Sequence, residues 1–324
     1  MIITRTPFRV SLCGGGSDLP SFYEKNGGCV ISTTINKYMY ITVHPSFQED
    51  LTVLKYSKTE TVKKVNDIEH PIFKQCLKDC KIKGVEITSI ADIPQGTGLG
   101  SSSSFTVGLL NALSCYKRKF TSKEEIASKA CHVEIEELGN RIGKQDQYAA
   151  AYGGLNYYQF NKDGSVYVEP VLMSKEAFHK LEDNLIMMYV GGVHSASEIL
   201  KEQSNNVTSG DKEKNQLKMC ELTKKLKIEL ENNNVDAVGE ILHESWMLKK
   251  TLASGISNPN IDKWYQIAIE NGAIGGKLLG AGGGGFLLFY VPKEKQKQVI
   301  ESLPELKPLD FKFDHQGTVP IFVS

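Results

Sequence analysis

The stretch IPQGTGLGSSSSFTVGLLNAL, Ile93–Leu113, places three glycines at alternate positions just before four consecutive serines. The segment 85–93 ahead of it has the β-branched residues of a strand, and Phe105, Leu109 and Leu113 behind it recur at helical spacing. The serines stand where helix N-caps stand. Glycines let backbone N–H groups turn inward, and a helix start adds unsatisfied donors. The stretch therefore predicts an anion-binding turn, with an ordinary strand-to-helix turn as the alternative.

Three familiar glycine motifs fail to match this stretch. No lysine follows Gly100, as a Walker A loop requires, and Gly96, Gly98 and Gly100 fall one residue short of a dinucleotide fingerprint. Residue 104 is a serine, where a nucleophile elbow needs glycine. The position between a strand and a helix also speaks against a linker. A phosphate-binding turn of another kind remains.

Composition limits the classes of function. The chain has 324 residues, and 38 basic side chains balance 38 acidic ones, which speaks against a protein that coats nucleic acid. No stretch approaches the roughly 20 apolar residues of a membrane span. The start lacks the apolar core of a secretory signal, and seven scattered cysteines are typical of free thiols in a reducing compartment. We therefore expect a cytoplasmic protein without nucleic-acid or membrane partners, whose oligomeric state the sequence leaves open.

The pattern along the chain predicts mixed α and β structure in two domains. Strand-like segments dominate the first part, and a helical region spans roughly 195–270 with breaks at Asn232–Asn234 and Ser254–Pro259. We expect an N-terminal domain over 1–175 and a C-terminal domain over 176–324. A capping box at Thr121 or Ser122 predicts a helix that runs to about Leu138 and stops at Gly139.

Three motifs in order resemble those of the GHMP small-molecule kinases, the family of galactokinase, homoserine kinase, mevalonate kinase and phosphomevalonate kinase. Pro94–Ser102 (PQGTGLGSS) resembles the ATP-phosphate motif. Pro7–Asp18 (PFRVSLCGGGSD) resembles the N-terminal motif, and Lys277–Phe286 (KLLGAGGGGF) the C-terminal glycine motif. The resemblance covers the whole chain. It implies a two-domain α+β fold, with an N-terminal domain like domain 2 of ribosomal protein S5, a ferredoxin-like C-terminal domain, and the active site between them.

The resemblance also implies the ligands ATP and Mg²⁺. The residues it assigns to ATP are Pro94, Gly96, Gly98, Leu99, Gly100, Ser101, Ser102 and Ser103. For Mg²⁺ it assigns Ser102, with Ser101 as the reserve, and Glu134. Glu137 competes with Glu134 because the two share a side of an α-helix, whereas Glu136 does not. We expect Ser103 and Ser104 to begin the helix.

The catalytic residues implied by the resemblance are Asp146 and Arg9. Galactokinase-like members carry their catalytic aspartate in a G-x-x-D-Q setting, which Gly143–Gln147 matches. Asp146 would accept or orient the proton of the acceptor hydroxyl, and Arg9 would hold it ionised and stabilise transferring charge. Without the resemblance, a solvated loop aspartate and an edge-strand arginine are the simpler interpretations.

The acceptor is implied by the first motif. GGGSD is similar to the sugar kinases of the family, most of all to those that phosphorylate the C1 hydroxyl of D-glycero-D-manno-heptose 7-phosphate for nucleotide-activated heptose of surface polysaccharide. L-Fucose kinases share part of the pattern, and an inactive sugar-sensing relative is an alternative of another class. The substrate-binding residues implied are Gly16, Ser17, Asp18 and Gly283. Asp18 would accept hydrogen bonds from sugar hydroxyls, or else cap a helix starting at Leu19–Pro20.

The acceptor phosphate needs cations, and the sequence offers several without choosing among them. The candidates are Arg141, Lys144, His194 and Lys249.

Overall fold

The computed structural model describes residues 1–192 and 196–324, which contain thirteen strands. The strands are β1 (Ile2–Cys13), β2 (Gly28–Pro45), β3 (Thr52–Lys55), β4 (Thr59–Val62), β5 (Val85–Ala91), β6 (Asn156–Phe160), β7 (Val166–Pro170), β8 (Leu185–Gly191), β9 (Gly275–Leu278), β10 (Gly285–Tyr290), β11 (Lys307–Pro308), β12 (Phe313–Asp314) and β13 (Val319–Val323).

The helices follow the expected order. They are α1 (Pro20–Asn26), α2 (Pro71–Cys80), α3 (Ser101–Tyr116), α4 (Lys123–Cys131), α5 (Gln145–Tyr152), α6 (Lys175–Asp183), α7 (Ala196–Asn206), α8 (Gly210–Glu231), α9 (Ala237–Lys249), α10 (Pro259–Glu270) and α11 (Gln296–Ser302). A π-helical segment, His132–Glu137, continues α4, and 3₁₀ turns lie at Val65–Asp67 and Lys293–Lys295.

The larger sheet has the strand order β13-β1-β2-β5-β3-β4, with β6, β7 and β12 joined through β2. β1 and β2 form its centre and pair antiparallel along most of their length. Every residue of β1 from Pro7 to Cys13 is buried, because α3 and α5 from the first part of the chain and α8 and α9 from the second pack against this strand. The first motif therefore lies inside the molecule.

The smaller sheet is antiparallel with the order β11-β8-β10-β9. The third motif forms β9, β10 and the turn between them, and Leu278 pairs with Leu287. β12 and β13 then return to the larger sheet, where β13 pairs with β1. The two sheets confirm the two-domain α+β prediction, whereas the boundary at 175/176 stays a prediction.

Of two helix N-termini predicted from the sequence, one is confirmed by the structure and the other differs from it. Ser122 accepts from the Glu125 N–H while the Glu125 side chain accepts from the Ser122 N–H, which confirms the capping box. α3, by contrast, begins at Ser101 rather than Ser103, and its N-cap is Gly100 at φ 75°, with no serine hydroxyl capping it. A left-handed glycine precedes the helix here, and no side chain caps the first N–H groups of the helix. These groups are therefore free to bind a ligand.

Candidate active site

The three motifs meet around one cavity of about 230 Å³, the active-site cavity. Its lining residues are Arg9, Ser11, Gly15, Gly16, Asp18, Leu19, Gly96, Gly98, Gly100, Ser101, Ser102, Ser103, Glu134, Asn140, Ile142, Gly143, Gln145, Asp146, Leu200, Lys249, Lys277, Gly280 and Ala281.

The glycine-serine turn is left-handed at each of its glycines. Gly96, Gly98 and Gly100 have φ values of 77°, 83° and 75°. A Cβ on Gly98 would overlap the Leu279 carbonyl oxygen, and a Cβ on Gly280 would overlap the Gly98 Cα. The third motif thus packs against the second. Both glycine runs are needed for two backbones to approach this closely.

Arg9 and Asp146 form a bidentate ion pair in the cavity. Arg9 Nε donates to Asp146 Oδ1 and Arg9 Nη2 to Oδ2, each at 2.7 Å. Arg9 Nη1 donates to the Gly98 carbonyl at 2.5 Å, which ties the pair to the glycine turn. The Arg9 side chain is 4% exposed and the Asp146 side chain 25%. The carboxylate is therefore fixed in orientation while one side of it faces the cavity.

Glu134 lies fully buried in the wall of the cavity. Its Oε1 accepts from Ser102 Oγ at 3.0 Å and its Oε2 from Gln147 Nε2 at 2.7 Å. No lysine or arginine of the described residues pairs with it, and burial raises the pKa of Glu134. A buried carboxylate with only neutral partners and a neighbouring hydroxyl is a donor set that suits a hard divalent cation.

The π-helical segment separates Glu134 from its competitors. Glu136 and Glu137 are exposed and contact His132, at 2.8 Å and 3.3 Å. The wider π turn breaks the three-residue alignment that an α-helix would give Glu134 and Glu137. Only Glu134 of the three reaches the cavity.

One side of the cavity holds Asp18 and two unpaired polar atoms. Asp18 Oδ1 accepts from the Gly16 N–H at 2.9 Å and Oδ2 from the Gln145 N–H at 3.2 Å. Burial, with the charge of Asp146, raises the pKa of Asp18. Ser11 Oγ and Gln145 Oε1 are buried without a partner among the described residues. Leu19 rather than Asp18 is the N-cap of α1, so the carboxylate is a cavity group.

Two buried lysines complete this side. Lys249 at the end of α9 and Lys277 in β9 are 6% and 7% exposed. Burial lowers the pKa of Lys249 to about 8 and that of Lys277 to about 7. Lys249 was among the sequence candidates, whereas Lys277 was missed. The available signal was a lysine followed directly by two leucines at the start of the third motif.

The other candidate cations lie elsewhere. Arg141 is exposed, and Lys144 Nζ donates to the Gly164 carbonyl at 2.6 Å. His194 lies outside the described residues.

Some predicted ligand-binding residues do not line the active-site cavity. Ser17 is fully buried and its hydroxyl bonds the Cys29 backbone, and the Gly283 N–H donates to the Ile256 carbonyl at 3.1 Å. Leu99 is buried in the core, and its carbonyl accepts from the Arg9 N–H. These residues stabilise the conformation of the motifs, because their polar groups are already bonded to protein.

A second cavity of about 640 Å³, the aromatic cavity, opens beside the glycine turn and was not predicted. Pro94 and Gln95 line it, directly before Gly96 of the active-site cavity. The His70 ring packs edge-on against Tyr56 and at a tilt against Phe105, at ring distances of 4.9 Å and 5.2 Å. The cavity therefore offers aromatic faces next to the predicted phosphate turn.

Comparison with known proteins agrees with this geometry. Residues 61–154 match the family GHMP kinases N terminal domain, and residues 226–308 match the family GHMP kinases C terminal. D-glycero-alpha-D-manno-heptose 7-phosphate kinase of Campylobacter jejuni is 31% identical over 98% of this chain and 97% of its own length. This chain belongs to the GHMP kinase family.

Other kinases of lower sequence identity are also similar to this chain along nearly its whole length. The galactokinase of Pyrococcus furiosus is 25% identical over 93% of this chain and 92% of its own. The structure of a D-glycero-D-manno-heptose 1-phosphate kinase from Bacteroides thetaiotaomicron superposes with a TM-score of 0.82 at 24% identity, with both chains fully covered. That of Streptococcus pneumoniae phosphomevalonate kinase gives 0.80 at 14% identity, over 97% of this chain and all of that one. Both confirm the fold.

The family establishes the type of reaction. The protein is a sugar kinase, a phosphotransferase with an alcohol group as acceptor, and ATP is the phosphate donor of the family. None of the helices in the described part of the chain combines the length and apolar character that crossing a bilayer requires.

Proposed function

We propose that this kinase transfers the γ-phosphoryl group of ATP to the anomeric C1 hydroxyl of D-glycero-D-manno-heptose 7-phosphate, giving the 1,7-bisphosphate. The relative from Campylobacter jejuni supports the acceptor. The observation that carries the proposal is that an arginine-held carboxylate, Asp146, shares one cavity with a phosphate-type turn and with the polar acceptor side at Asp18.

ATP, the phosphate donor, would occupy both the glycine-serine turn and the aromatic cavity. The N–H groups of the glycine-serine turn and the open N-terminus of α3 would bind the β- and γ-phosphates. The base would then enter the aromatic cavity, because Pro94 and Gln95 join the two cavities along the chain. Tyr56 and His70, which are half-buried and line this cavity, would supply ring surface for the purine.

Mg²⁺ would be held by Glu134 and Ser102. Bound to the phosphates, the ion neutralises charge that develops on the transferred group. The protein contributes a buried carboxylate without a cationic partner among the described residues, so the cation would also relieve the burial of that charge.

The acceptor hydroxyl would meet Asp146. Its proton passes to the Asp146 carboxylate, its oxygen forms the new bond to the γ-phosphorus, and the bond to the bridging oxygen breaks to release ADP. Arg9 positions that carboxylate through both oxygens. Asp18, Ser11 and Gln145 offer free lone pairs and an unpaired hydroxyl to the other sugar hydroxyls.

An acceptor panel tests the proposal. Heptose 7-phosphate, heptose, L-fucose, galactose and mevalonate are compared for ATP-dependent ADP release, and phosphorus NMR locates the new phosphate. We expect the highest kcat/KM for heptose 7-phosphate and a new signal from an anomeric phosphate. A higher kcat/KM for fucose, or a phosphate on another carbon, would refute the proposal.

A further inference from the structure

Lys249 and Lys277 form a buried pair of like charges on the wall of the active-site cavity. Lys249 Nζ donates to the Gly15 carbonyl and to Gln203 Oε1, both at 3.3 Å and both uncharged. Lys277 Nζ has no hydrogen-bond acceptor among the described residues, although its side chain is more than nine-tenths buried. No carboxylate of the described residues forms an ion pair with either lysine.

The surroundings of the pair do not compensate its charge. The charged and titratable groups that face it are Asp18, Arg9 and, for Lys277, Cys13. The Asp18 carboxylate already accepts two backbone N–H groups, and Arg9 adds a further positive charge. Burying an unpaired ammonium group is costly, and two close together repel each other. Such an arrangement is stabilised when an anion binds between the two charges.

We propose that Lys249 and Lys277 bind a second anionic group of the acceptor, a phosphate ester remote from the hydroxyl that is phosphorylated. The inference rests on the proposed function and assigns the residues that select its substrate class.

The position of the pair favours the acceptor over ATP as the source of this anion. Lys249 donates to the Gly15 carbonyl of the first motif, and Asp18 of the same motif is a charged neighbour of both lysines. The proposed Mg²⁺ ligands Ser102 and Glu134 instead bond to each other. Arg9 is largely committed to other contacts, since three of its five N–H groups are engaged by Asp146 and Gly98. A sugar without the phosphate would leave both lysines unpaired, so it is discriminated against.

Kinetics with matched acceptors test the assignment. Lys249→Met and Lys277→Met keep the length of the side chain and remove its charge. We expect each to lower kcat/KM for heptose 7-phosphate on the order of 100-fold, while kcat/KM for unphosphorylated heptose changes less than about threefold. Lys250→Met, next in sequence and paired with Asp262 on the surface, is the matched control and leaves both values unchanged. An equal loss with both acceptors would overturn the assignment.

Calorimetry gives a readout that a structural role would not produce. The phosphate ester is a dianion at pH 8. Protons taken up on binding are therefore bound by the protein, at the two lysines whose pKa values are lowered in the free enzyme. We expect the binding heat of heptose 7-phosphate to depend on the ionisation enthalpy of the buffer, and this dependence to shrink in Lys277→Met. An equal proton uptake in wild type and variant would count against the lysines.

The acceptor panel, with further sugar phosphates added to it, separates this inference from the proposed function. If another sugar phosphate reacts and heptose 7-phosphate does not, the proposed function fails, and the lysine assignment stands provided that the variants lose only the phosphorylated acceptor. If only unphosphorylated sugars react, the lysine assignment fails. If heptose 7-phosphate reacts but the variants lose both acceptors equally, the function stands and the assignment fails.

Discussion

Asp146 depends on Arg9 for its position, and the two residues are 137 positions apart in the chain. The sequence placed both in motifs but could not show that they meet. The bidentate pair uses one lone pair of each carboxylate oxygen and leaves the rest to the cavity. An aspartate so held can accept a proton without first reorienting.

Replacing Asp146 with asparagine should separate binding from chemistry. Asp146→Asn keeps the shape of the side chain but cannot take the hydroxyl proton, so we expect kcat to fall about 100-fold or more. Binding of Mg·ATP, measured by calorimetry, should stay within about threefold of wild type, since we propose that the phosphate groups bind the turn and α3.

Asp310→Asn provides the matched control for this prediction, because Asp310 is exposed and outside the cavity. Wild-type turnover by the Asp146→Asn variant would exclude Asp146 as the proton acceptor.

At the scale of elements, the second and third motifs function as one unit. The turn before α3 and the turn between β9 and β10 touch through Gly98 and Gly280, with no room for a side chain. The π-helical segment positions another residue of the site, because its wide turn directs Glu134 inward and leaves Glu136 and Glu137 in solvent. Periodicity predicted a helix there but not its kind.

Substituting Gly98 should damage both stability and activity. Gly98→Ala adds a methyl group against the Leu279 carbonyl at a φ of 83°, so the two turns must separate. We expect a loss of about 2–4 kcal/mol in the free energy of unfolding, more than the 1–2 kcal/mol of a left-handed alanine alone. Urea denaturation and the KM for ATP, which should rise, measure the two effects.

Gly210→Ala is the control for backbone strain. Gly210 has a φ of 73° and nothing within 4 Å of its Cβ position. We expect it to show the strain cost alone, with an unchanged KM for ATP. Equal losses in the two variants would mean that the contact between the turns contributes nothing.

At the scale of the molecule, the cavity forms where helices from both halves of the chain pack on β1. They bury the second half of this strand, which brings Arg9 and the GGGSD turn beside α9 and β9. The lysines of the second half therefore lie near Asp18 and Arg9 of the first. Their burial is a cost to folding that a bound anion offsets.

Lys277→Met should therefore stabilise the protein while impairing acceptor selection. At pH 7 we expect the free energy of unfolding to rise on the order of 2 kcal/mol, as the buried charge is lost. The folded-state pKa of Lys277 is lowered to about 7, so the unfolded chain binds more protons above that pH. Wild-type stability then rises with pH between about 7 and 10, and the advantage of the variant shrinks.

Urea titrations of wild type and Lys277→Met at pH 7 and pH 9 measure this gap, with Lys250→Met as the surface reference. A gap that is absent at pH 7, or that widens at pH 9, would show that Lys277 is not an uncompensated buried charge.

The amino-acid sequence determined the family, the order of elements and the turn that we propose binds phosphate, because glycine turns, helix starts and short motifs are local and depend on neighbouring residues. It also placed Asp146, Arg9 and Glu134 as candidates through their motif contexts. Only the tertiary structure decided which groups face the cavity. It turned Ser17, Leu99 and Gly283 away from the cavity, opened the aromatic cavity and set Lys277 beside Lys249. Such contacts join residues far apart in the chain, and burial and charge pairing, which no local pattern records, select among them.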